Sequence, residues 1–380
     1  TNVPIIQDVA CMVGILESVG CRCRFQGSRL SIDASRVIKT AIPQEDVKKM
    51  RSSILVMGAL LGRTGEAAAW YPGGCSIGSR PVDLHLLAFS RLGAGVEEEE
   101  GRIRARGRLR GGEIVFPFPS VGATENALLA AVLAPGETVI FGAAREPEII
   151  TLCQLLRQMG AVIAGEGTER IQIKGVSRLF ETEYAVPGDR IAAGTYLAAV
   201  TAAGGQAVLW GAPWESMGAV TETLCRCGAC IEPLPDEGGR ILGARILMEG
   251  RPRPVRLQTG PYPEFPTDLQ SPMLAVLSLA EGESRLRENV FEARFKTAAE
   301  LKKMGADITV SGNQAVIQGK EGLSGARVRA WDLRGGAALV AAALAARGET
   351  VIEDCIHIER GYEDICRDVQ CLHGDIRWSA

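Results

Sequence analysis

The pattern that decides the fold lies in the stretch Leu155-Leu156-Arg157-Gln158-Met159-Gly160-Ala161-Val162-Ile163. A helix-like segment ends at Gly160, and a short strand follows it. Glycine is common just after a helix because it adopts positive φ angles without a steric penalty. A return strand is expected at residues 170–173, so the stretch predicts a helix followed by a β-hairpin.

The same pattern recurs six times along the chain. Its glycine falls at Gly20, Gly93, Gly160, Gly228, Gly305 and Gly374. A period of roughly 70 residues is too long for a solenoid repeat and fits a repeated small α/β subdomain.

Five of the predicted hairpins are preceded by a second recurring segment, which we call the lead-in block. It consists of an Ala/Leu-rich helix, a glycine-containing turn and a strand, and it covers residues 53–70, 128–141, 191–210, 272–289 and 339–353. Because helix and strand alternate, we predict an α/β fold of six helix/β-hairpin subdomains. The first hairpin has no lead-in block, so the first repeat is expected to be incomplete, with about half a repeat missing before Thr1.

A chain of 380 residues usually forms two domains, and three repeats in each is the natural division. The run Glu181-Thr182-Glu183-Tyr184-Ala185-Val186-Pro187-Gly188 interrupts the periodic pattern with charge, proline and glycine. We therefore expect a first domain at residues 1–187, which carries the loop around Cys75, and a second domain at residues 188–380. A cleft between domains is a common ligand site, so the active site is expected there.

The charge balance argues against general binding of polyanions. The chain has 42 basic and 45 acidic residues and a net charge of -3, so no nucleic-acid partner is expected. Its 11 cysteines are irregularly spaced, which is typical of a reducing compartment and predicts a cytoplasmic protein. Apolar runs fall short of the roughly 20 residues that cross a bilayer, and we expect no membrane association. We also expect no cofactor, no metal and no obligate protein partner.

The most chemically loaded segment is the loop Pro72-Gly73-Gly74-Cys75-Ser76-Ile77-Gly78-Ser79-Arg80-Pro81-Val82-Asp83-Leu84-His85. Its glycines allow the main chain to approach a ligand closely. Arg80 lies five residues after Cys75, and a nearby cation favours the reactive thiolate form of a cysteine. The alternative is a buried cysteine in a tight turn, because free cysteine is commonly buried.

Several lead-in helices are predicted to begin at polar or charged residues. These starts lie near Arg51, Ser120, Asp189, Asp268 and Arg334. Helix N-termini carry unpaired N–H groups and a partial positive charge, so starts that converge would form a site for phosphate or carboxylate. The alternative for each start is an ordinary N-cap. Two arginines in equivalent places of two repeats, Arg294 and Arg360, fit either an anion site or a structural ion pair.

The loop around Cys75 closely resembles the active loop of the UDP-N-acetylglucosamine 1-carboxyvinyltransferases, the enolpyruvyl transferases that open peptidoglycan synthesis. The resemblance rests on Pro72-Gly73-Gly74 and on Arg80-Pro81-Val82-Asp83-Leu84-His85. Further segments are similar to that family in the same order, at residues 120–124, 144–148, 265–268, 291–295, 332–334 and 360–362. The resemblance implies two inside-out α/β barrel-like domains of three repeats each.

In that family the 3-hydroxyl of UDP-N-acetylglucosamine attacks C2 of phosphoenolpyruvate, C3 gains a proton, and phosphate leaves the tetrahedral intermediate. The resemblance implies that Cys75 donates the proton and that Asp268 contacts the attacking hydroxyl and accepts its proton. The guanidinium groups that hold phosphate and carboxylate are matched by Arg80, Arg294, Arg334 and Arg360. The positions that line the nucleotide-sugar site are matched by Arg51, Arg80, Pro81, Val82, Asp83, Leu84, His85, Ser120, Val121, Gly122, Asp268, Val290 and Arg294.

The chain departs from the family pattern in two places. The family carries a Lys-Asn pair in its first lead-in block, and its lysine binds phosphoenolpyruvate, whereas this chain starts beyond that block. We therefore expect the chain as given to be inactive or nearly so, and the complete gene product to be active. Phe118 stands where some members carry a lysine near the nucleotide.

The sequence allows four other interpretations. A related transferase acts on shikimate 3-phosphate but does not use this cysteine loop, and a noncatalytic nucleotide-sugar-binding relative would not need the matched acid and arginines. The alternating arginines at residues 102–110 could indicate RNA binding, but no aromatic residues interleave with them, which favours a solvated strand face. A metal site at Cys225, Cys227 and Cys230 is disfavoured because no second pair lies at the required spacing.

Overall fold

A computed structural model of the chain describes residues 1–71 and 81–379. The loop segment that contains Cys75 and Arg80 lies outside the described residues. By their internal contacts the described residues form two compact units, of which the first ends at Val186 and the second begins at Pro187.

The first unit contains six helices, nine strands and one 3₁₀ helix within its described residues. In chain order they are α1 (Gln7–Ser18), β1 (Arg22–Gln26), β2 (Arg29–Asp33), α2 (Gln44–Lys49), a 3₁₀ helix (Arg51–Ile54), α3 (Leu55–Thr64), β3 (Glu66–Trp70), α4 (Asp83–Arg91), β4 (Gly95–Glu99), β5 (Arg102–Arg106), β6 (Glu113–Val115), α5 (Val121–Ala131), β7 (Glu137–Phe141), α6 (Pro147–Gln158), β8 (Val162–Ala164) and β9 (Arg170–Lys174).

The second unit has the same kinds of element in a similar order. They are α7 (Arg190–Ala203), β10 (Gly205–Trp210), a 3₁₀ helix (Trp214–Ser216), α8 (Gly218–Arg226), β11 (Cys230–Pro235), β12 (Ile241–Met248), β13 (Arg256–Gln258), a 3₁₀ helix (Thr267–Leu269), α9 (Gln270–Leu277), β14 (Glu283–Arg287), α10 (Lys296–Lys303), β15 (Asp307–Ser311), β16 (Gln314–Gln318), β17 (Leu323–Ser324), β18 (Arg327–Arg329), α11 (Leu333–Leu344), β19 (Ala346–Arg347), β20 (Val351–Glu353), a 3₁₀ helix (Cys355–Arg360) and α12 (Ile365–Cys371).

The helix and hairpin repeat is confirmed at five of its six predicted positions. The hairpins are β1–β2, β4–β5, β8–β9, β11–β12 and β15–β16, each antiparallel. The glycine before each hairpin has a positive φ angle, for example 97° at Gly160 and 95° at Gly305. All five lead-in blocks also form, as α3–β3, α5–β7, α7–β10, α9–β14 and α11–β20.

The hairpin that we expected after Gly374 is not formed. Residues 372–379 contain no strand, and the positive φ angle after α12 belongs to His373, at 65°. A Cβ at Gly374 would lie 3.2 Å from Leu344, and it would also meet Val369. This glycine therefore serves close packing rather than the turn into a strand.

The strands form open sheets with a repeated order, and none of the sheets among the described residues closes into a barrel. In each unit a three-stranded sheet is followed by a four-stranded one, with orders β3-β5-β4 and β6-β7-β9-β8, then β10-β12-β11 and β13-β14-β16-β15. The strand of the lead-in block pairs with the second strand of the hairpin. On β5, for example, Ile103 and Ala105 are buried while the arginines alternate outward.

The helices of the lead-in blocks lie inside and the sheets lie outside, as an inside-out fold requires. All eight residues of α9 are buried, and α7, α9 and α11 contact one another. Contact at backbone distance needs small residues. A Cβ at Gly58 of α3 would lie 2.6 Å from the carbonyl oxygen of Asn126 in α5, and one at Gly62 would lie 3.0 Å from that of Ala130.

Among the helices of residues 1–71 and 81–379, none is both long enough and apolar enough to cross a membrane.

The close contact between α3 and α5 can be tested with two helical glycines. Gly58→Ala should lower the free energy of unfolding by about 1–3 kcal/mol, because the added methyl group overlaps the main chain of α5. Gly14→Ala in α1 is the control, since its methyl group would meet nothing within 4 Å and alanine is the better helix former. Chemical denaturation followed by circular dichroism measures both changes. Equal stabilities for the two variants would contradict the packing.

Candidate functional site

In the first unit, three helix starts carry the matched nucleotide-sugar residues. Arg51 begins the 3₁₀ helix before α3, residues 81–85 lead into α4, and residues 120–122 lead into α5. The guanidinium Nη2 of Arg51 donates to the carbonyl oxygen of Pro81 at 3.3 Å. A Cβ at Gly122 would lie 3.2 Å from Cε1 of His85. The fold therefore brings Arg51, Pro81, His85 and Gly122 together.

Local main-chain bonds fix the starts of α4 and α5. The carbonyl oxygen of buried Val82 accepts from the N–H groups of His85 and Leu86 at 3.0 and 3.1 Å. The Ser120 hydroxyl accepts from the Ala123 N–H at 3.4 Å, so Ser120 is the N-cap of α5. Among the other matched positions, Asp83 is exposed, whereas Leu84 and Val121 are half-buried and pack on the core.

A buried amide that sequence reasoning missed joins these three helices. Asn126 of α5 is fully buried, and its Oδ1 accepts from the Gly58 N–H at 2.9 Å. Its Nδ2 donates to the carbonyl oxygen of Ile54 at 3.0 Å and lies 2.8 Å from Nδ1 of His85. Because the amide nitrogen donates, Nδ1 accepts, and the proton of the neutral ring lies on Nε2. The signal in the sequence was an amide directly followed by the apolar run from Ala127 to Ala131.

His85 is held uncharged in this network. Burial, and next to it the positive charge of Arg51, lower the pKa of His85 to about 4, while Asp83 raises it by less. The side chain is 7% exposed. His85 therefore positions α4 against α5, close to the matched residues, and carries no charge near neutral pH.

In the second unit, Asp268 is held by a buried arginine. Arg294 is 4% exposed, its Nη2 donates to Oδ1 of Asp268, and its Nε donates to the Thr267 hydroxyl at 3.3 Å. The Arg294 guanidinium also stacks 5.3 Å from the centre of the Phe291 ring. The Asp268 side chain remains 43% exposed. The carboxylate is thus fixed in position and still open to solvent.

Glu288, which the sequence did not single out, organises the segment around this pair. It is 2% exposed, and its Oε1 accepts from the Thr267 hydroxyl at 2.9 Å. The same oxygen accepts from the N–H groups of Val290 and Phe291 at 2.8 and 3.1 Å. Oε1 of Glu288 therefore links the turn at half-buried Val290 to Thr267, the residue before Asp268.

Arg334 lies near the N-terminus of α11, where three helix starts meet. Asp332 caps α11 by accepting from the Gly335 N–H at 2.8 Å, and Arg334 Nη1 donates to the Tyr362 hydroxyl at 3.4 Å. Burial lowers the pKa of Arg334, but Tyr362, Asp268 and Asp189 together raise it above its ordinary value. Since Asp189 caps α7 and Asp268 precedes α9, the predicted convergence of helix starts is confirmed within this unit.

Tyr362 fixes the approach of the chain segment that carries Arg360. It is 4% exposed, and its hydroxyl donates to the Thr195 hydroxyl of α7 at 2.8 Å. Its ring meets that of Tyr196 edge-on, with 6.0 Å between the ring centres. Arg360 is half-buried at the end of the 3₁₀ helix, two residues before Tyr362. The sequence did not point to Tyr362 beyond its place in the matched segment.

Other sequence candidates lie outside these two clusters. Two of the three exposed arginines of β5 pair with acids on neighbouring strands, Arg104 with Glu66 and Arg106 with Glu97, as on a solvated strand face. Phe118 is 45% exposed. Cys225 and Cys230 are exposed and Cys227 is buried. No group of His, Cys, Asp and Glu side chains within the described part of the chain is placed to hold a metal ion.

The fold is that of the enolpyruvyl transferases. The chain is similar to the enolpyruvyl transferase NikO from Streptomyces tendae, with a TM-score of 0.86 at 24% identity, over 98% of this chain and 88% of that one. It is also similar to an EPSP synthase from Acinetobacter baumannii, with a TM-score of 0.71 at 18% identity, over 95% of this chain and 86% of that one. At these identities the likeness shows the fold alone.

The family follows from the sequence comparisons. Residues 1–369 match the model of the family described as EPSP synthase (3-phosphoshikimate 1-carboxyvinyltransferase), and the chain belongs to that family. A relative from Nitratidesulfovibrio vulgaris, named UDP-N-acetylglucosamine 1-carboxyvinyltransferase, is 46% identical over 100% of this chain and 90% of its own length. One of the same name from Zymomonas mobilis is 45% identical over 99% of this chain and 89% of its own length.

The lowered pKa of His85 predicts a pH dependence of folding. An unfolded histidine binds a proton near pH 6.5, whereas His85 in the folded protein binds one only near pH 4. Between these values the unfolded state binds more protons, so the free energy of unfolding should fall by up to about 3 kcal/mol as the pH drops from 6.5 to 4. His85→Gln should flatten this dependence, measured by urea denaturation across that pH range.

The exposed His373 provides the control for this measurement. His373→Asn should leave the pH dependence as it is in the wild type, because its ring is solvated and asparagine also tolerates a positive φ angle. A His85→Gln protein with the wild-type slope would show that His85 is protonated normally in the folded state.

Proposed function

We propose that the protein transfers the enolpyruvyl group of phosphoenolpyruvate to the 3-hydroxyl of UDP-N-acetylglucosamine with release of phosphate, the first committed step of peptidoglycan synthesis. Relatives at 44–46% identity over nearly the whole chain are named for this activity. The structural observation that carries the proposal is the half-exposed Asp268, fixed by buried Arg294 close to Arg334.

Asp268 is proposed to accept the proton of the attacking hydroxyl. A general base has to be open to its substrate and held in one orientation. Arg294 supplies the orientation, because its buried guanidinium bonds to one carboxylate oxygen and to Thr267, which is itself fixed by Glu288. The exposed part of the carboxylate remains for the substrate.

Arg334 is proposed to bind the phosphate or the carboxylate of phosphoenolpyruvate. The guanidinium fork suits both anions because it donates two parallel hydrogen bonds. Arg334 stays charged, since Tyr362, Asp268 and Asp189 together raise its pKa against the effect of burial, and the N-terminus of α11 adds partial positive charge. Arg360 is proposed as a second anion ligand, because Tyr362, two residues further on, bonds to Arg334.

The first unit is proposed to contribute nucleotide-sugar contacts. Arg51 and the N-terminus of α5 offer positive charge for a diphosphate, and Ser120 to Gly122 offer main-chain and hydroxyl groups. The His85 and Asn126 network holds α3, α4 and α5 in register, so these groups are fixed before a substrate binds. We propose that the two compact units correspond to the two domains of the enzyme.

Cys75, outside the described residues, is proposed to protonate C3 of phosphoenolpyruvate, with Arg80 among the anion ligands. A thiol in this role should be alkylated by the epoxide fosfomycin, which mimics phosphoenolpyruvate. Because the reaction supplies a cell-wall precursor, the protein is proposed to act in the cytoplasm and to support cell shape and division.

The proposed base can be tested by phosphate release in the full-length protein. With phosphoenolpyruvate and UDP-N-acetylglucosamine as substrates, Asp268→Asn should lower kcat roughly 10²- to 10⁴-fold, because an amide cannot accept the proton. Asp307→Asn is the matched control. Asp307 lies on β15 of the same unit, in an exposed ion pair with Lys320 at 3.0 Å, and its loss should leave kcat unchanged.

Two outcomes would contradict the proposal. Phosphate release that requires shikimate 3-phosphate instead of the nucleotide sugar would assign the chain to the related transferase. Tight binding of UDP-N-acetylglucosamine without any phosphate release by the full-length wild type would indicate a noncatalytic relative. If Asp268→Asn kept the wild-type kcat, the transfer reaction would still stand, but another residue would have to be the base.

A further inference from the structure

A cavity lined by several charged side chains lies on the second unit, and it shares no residue with the proposed catalytic site. It has a volume of about 710 Å³ and opens between α8 and the strands β13 and β14. This volume is in the range of small-molecule sites. The described residues that line it include four arginines, Arg226, Arg256, Arg285 and Arg287. Two carboxylates, Glu222 and Glu264, also line it, which leaves an excess of two positive charges.

The strand pairing sets three of these arginines side by side. In the parallel pair β13–β14, Arg256 lies directly opposite Arg285, and Gln258 lies opposite Arg287. All four side chains are exposed on the same face of the sheet. Like charges directly opposite one another destabilise a sheet. An anion between Arg256 and Arg285 would therefore relieve a repulsion between the two side chains.

The neighbours of these arginines compensate only part of the charge. Glu283 accepts from Arg285 Nε at 2.8 Å. Arg287 faces a neutral side chain, the amide of Gln314, whose oxygen turned toward it lies 3.1 Å from Nε. Arg226 donates to the main-chain oxygen of Arg256 at 3.4 Å, which brings a further guanidinium to the same edge. Within residues 1–71 and 81–379, the Arg256 guanidinium makes no direct ion pair, and Glu283 attracts it only at longer range.

The sheet itself does not require these arginines. The first unit has a four-stranded sheet of the same order, and there the parallel pair β6–β7 sets Glu113 opposite Val139 and Val115 opposite Phe141. On β5, Arg104 and Arg106 each bond to an acid on an adjacent strand, whereas at the cavity only Arg285 has such a direct partner. The four-stranded sheet of the first unit thus forms without arginines at these positions, and on this face of the second unit four arginines share three nearby carboxylates, Glu222, Glu264 and Glu283.

We infer that this cavity binds a small molecule with two or more phosphate or carboxylate groups. Arg256 and Arg285 would hold one anionic group between them, and Arg287 and Arg226 would hold the next, since guanidinium pairs with either anion in two-point fashion. The half-buried Leu257 and the buried Phe265 provide apolar surface for the body of such a ligand. Phe265 lies three residues before Asp268, so an occupied cavity adjoins the segment that carries the proposed base.

The inference can be tested by calorimetric titration of the full chain with pyrophosphate and, separately, with citrate. The wild type should bind at this cavity and at the catalytic site. Arg256→Gln, Arg285→Gln and Arg287→Gln combined should weaken binding at the cavity at least tenfold. Arg334→Gln should weaken only binding at the catalytic site. The stronger of the two probes distinguishes a phosphate ligand from a carboxylate ligand.

A matched variant controls for general loss of charge. Arg102→Gln, Arg104→Gln and Arg106→Gln combined remove three exposed arginines from β5 and should leave both binding events unchanged. Equal weakening in both triple variants, or unchanged binding in the first, would overturn the inference. A melting temperature of the β13–β14 triple variant clearly below that of the wild type without ligand would do so too, since removal of like-charge repulsion should not destabilise the sheet.

Discussion

Close packing of the lead-in helices against one another is the constraint on which the rest of this structure depends. Where two of these helices meet at backbone distance, the chain carries glycine, as at Gly58 and Gly62 of α3. Any polar group inside must find all its hydrogen bonds within the protein. Asn126 does so by bonding to two main-chain groups and to His85. The close contacts at the glycines and the hydrogen bonds of Asn126 together fix how α3, α4 and α5 pack.

That arrangement brings the helix starts together and so concentrates charge. In the second unit, the starts of α7, α9 and α11 place Asp189 and Asp268 within electrostatic reach of Arg334. Buried Arg294 then bonds to the exposed carboxylate of Asp268, and buried Glu288 bonds to the neighbouring Thr267. The chemistry proposed for the site follows from this packing, because it brings the N-termini of the helices together.

The repeat and most of its elements could be predicted because they depend on local signals. A glycine after a helix and an alternating strand are properties of neighbouring residues, and five hairpins form where these signals occur. The sixth signal failed at Gly374, where the glycine relieves contact with Val369 and Leu344 instead of turning the chain. Gly374 is the same residue type as the glycines before the five hairpins, but its packing is different. A local sequence pattern does not distinguish the two cases.

The sequence by itself determined the period of the fold, the lead-in blocks and the residue types that match the enolpyruvyl transferases. Only the tertiary structure decided which of these residues meet. Asn126 and His85 are 41 residues apart, and Arg294 and Asp268 are 26 apart. The facing of Arg256 and Arg285 likewise depends on the register of two strands. The physical reason is that such pairs form when whole helices and strands pack together. The residues next to each partner in the sequence carry no information on the distance between the two partners.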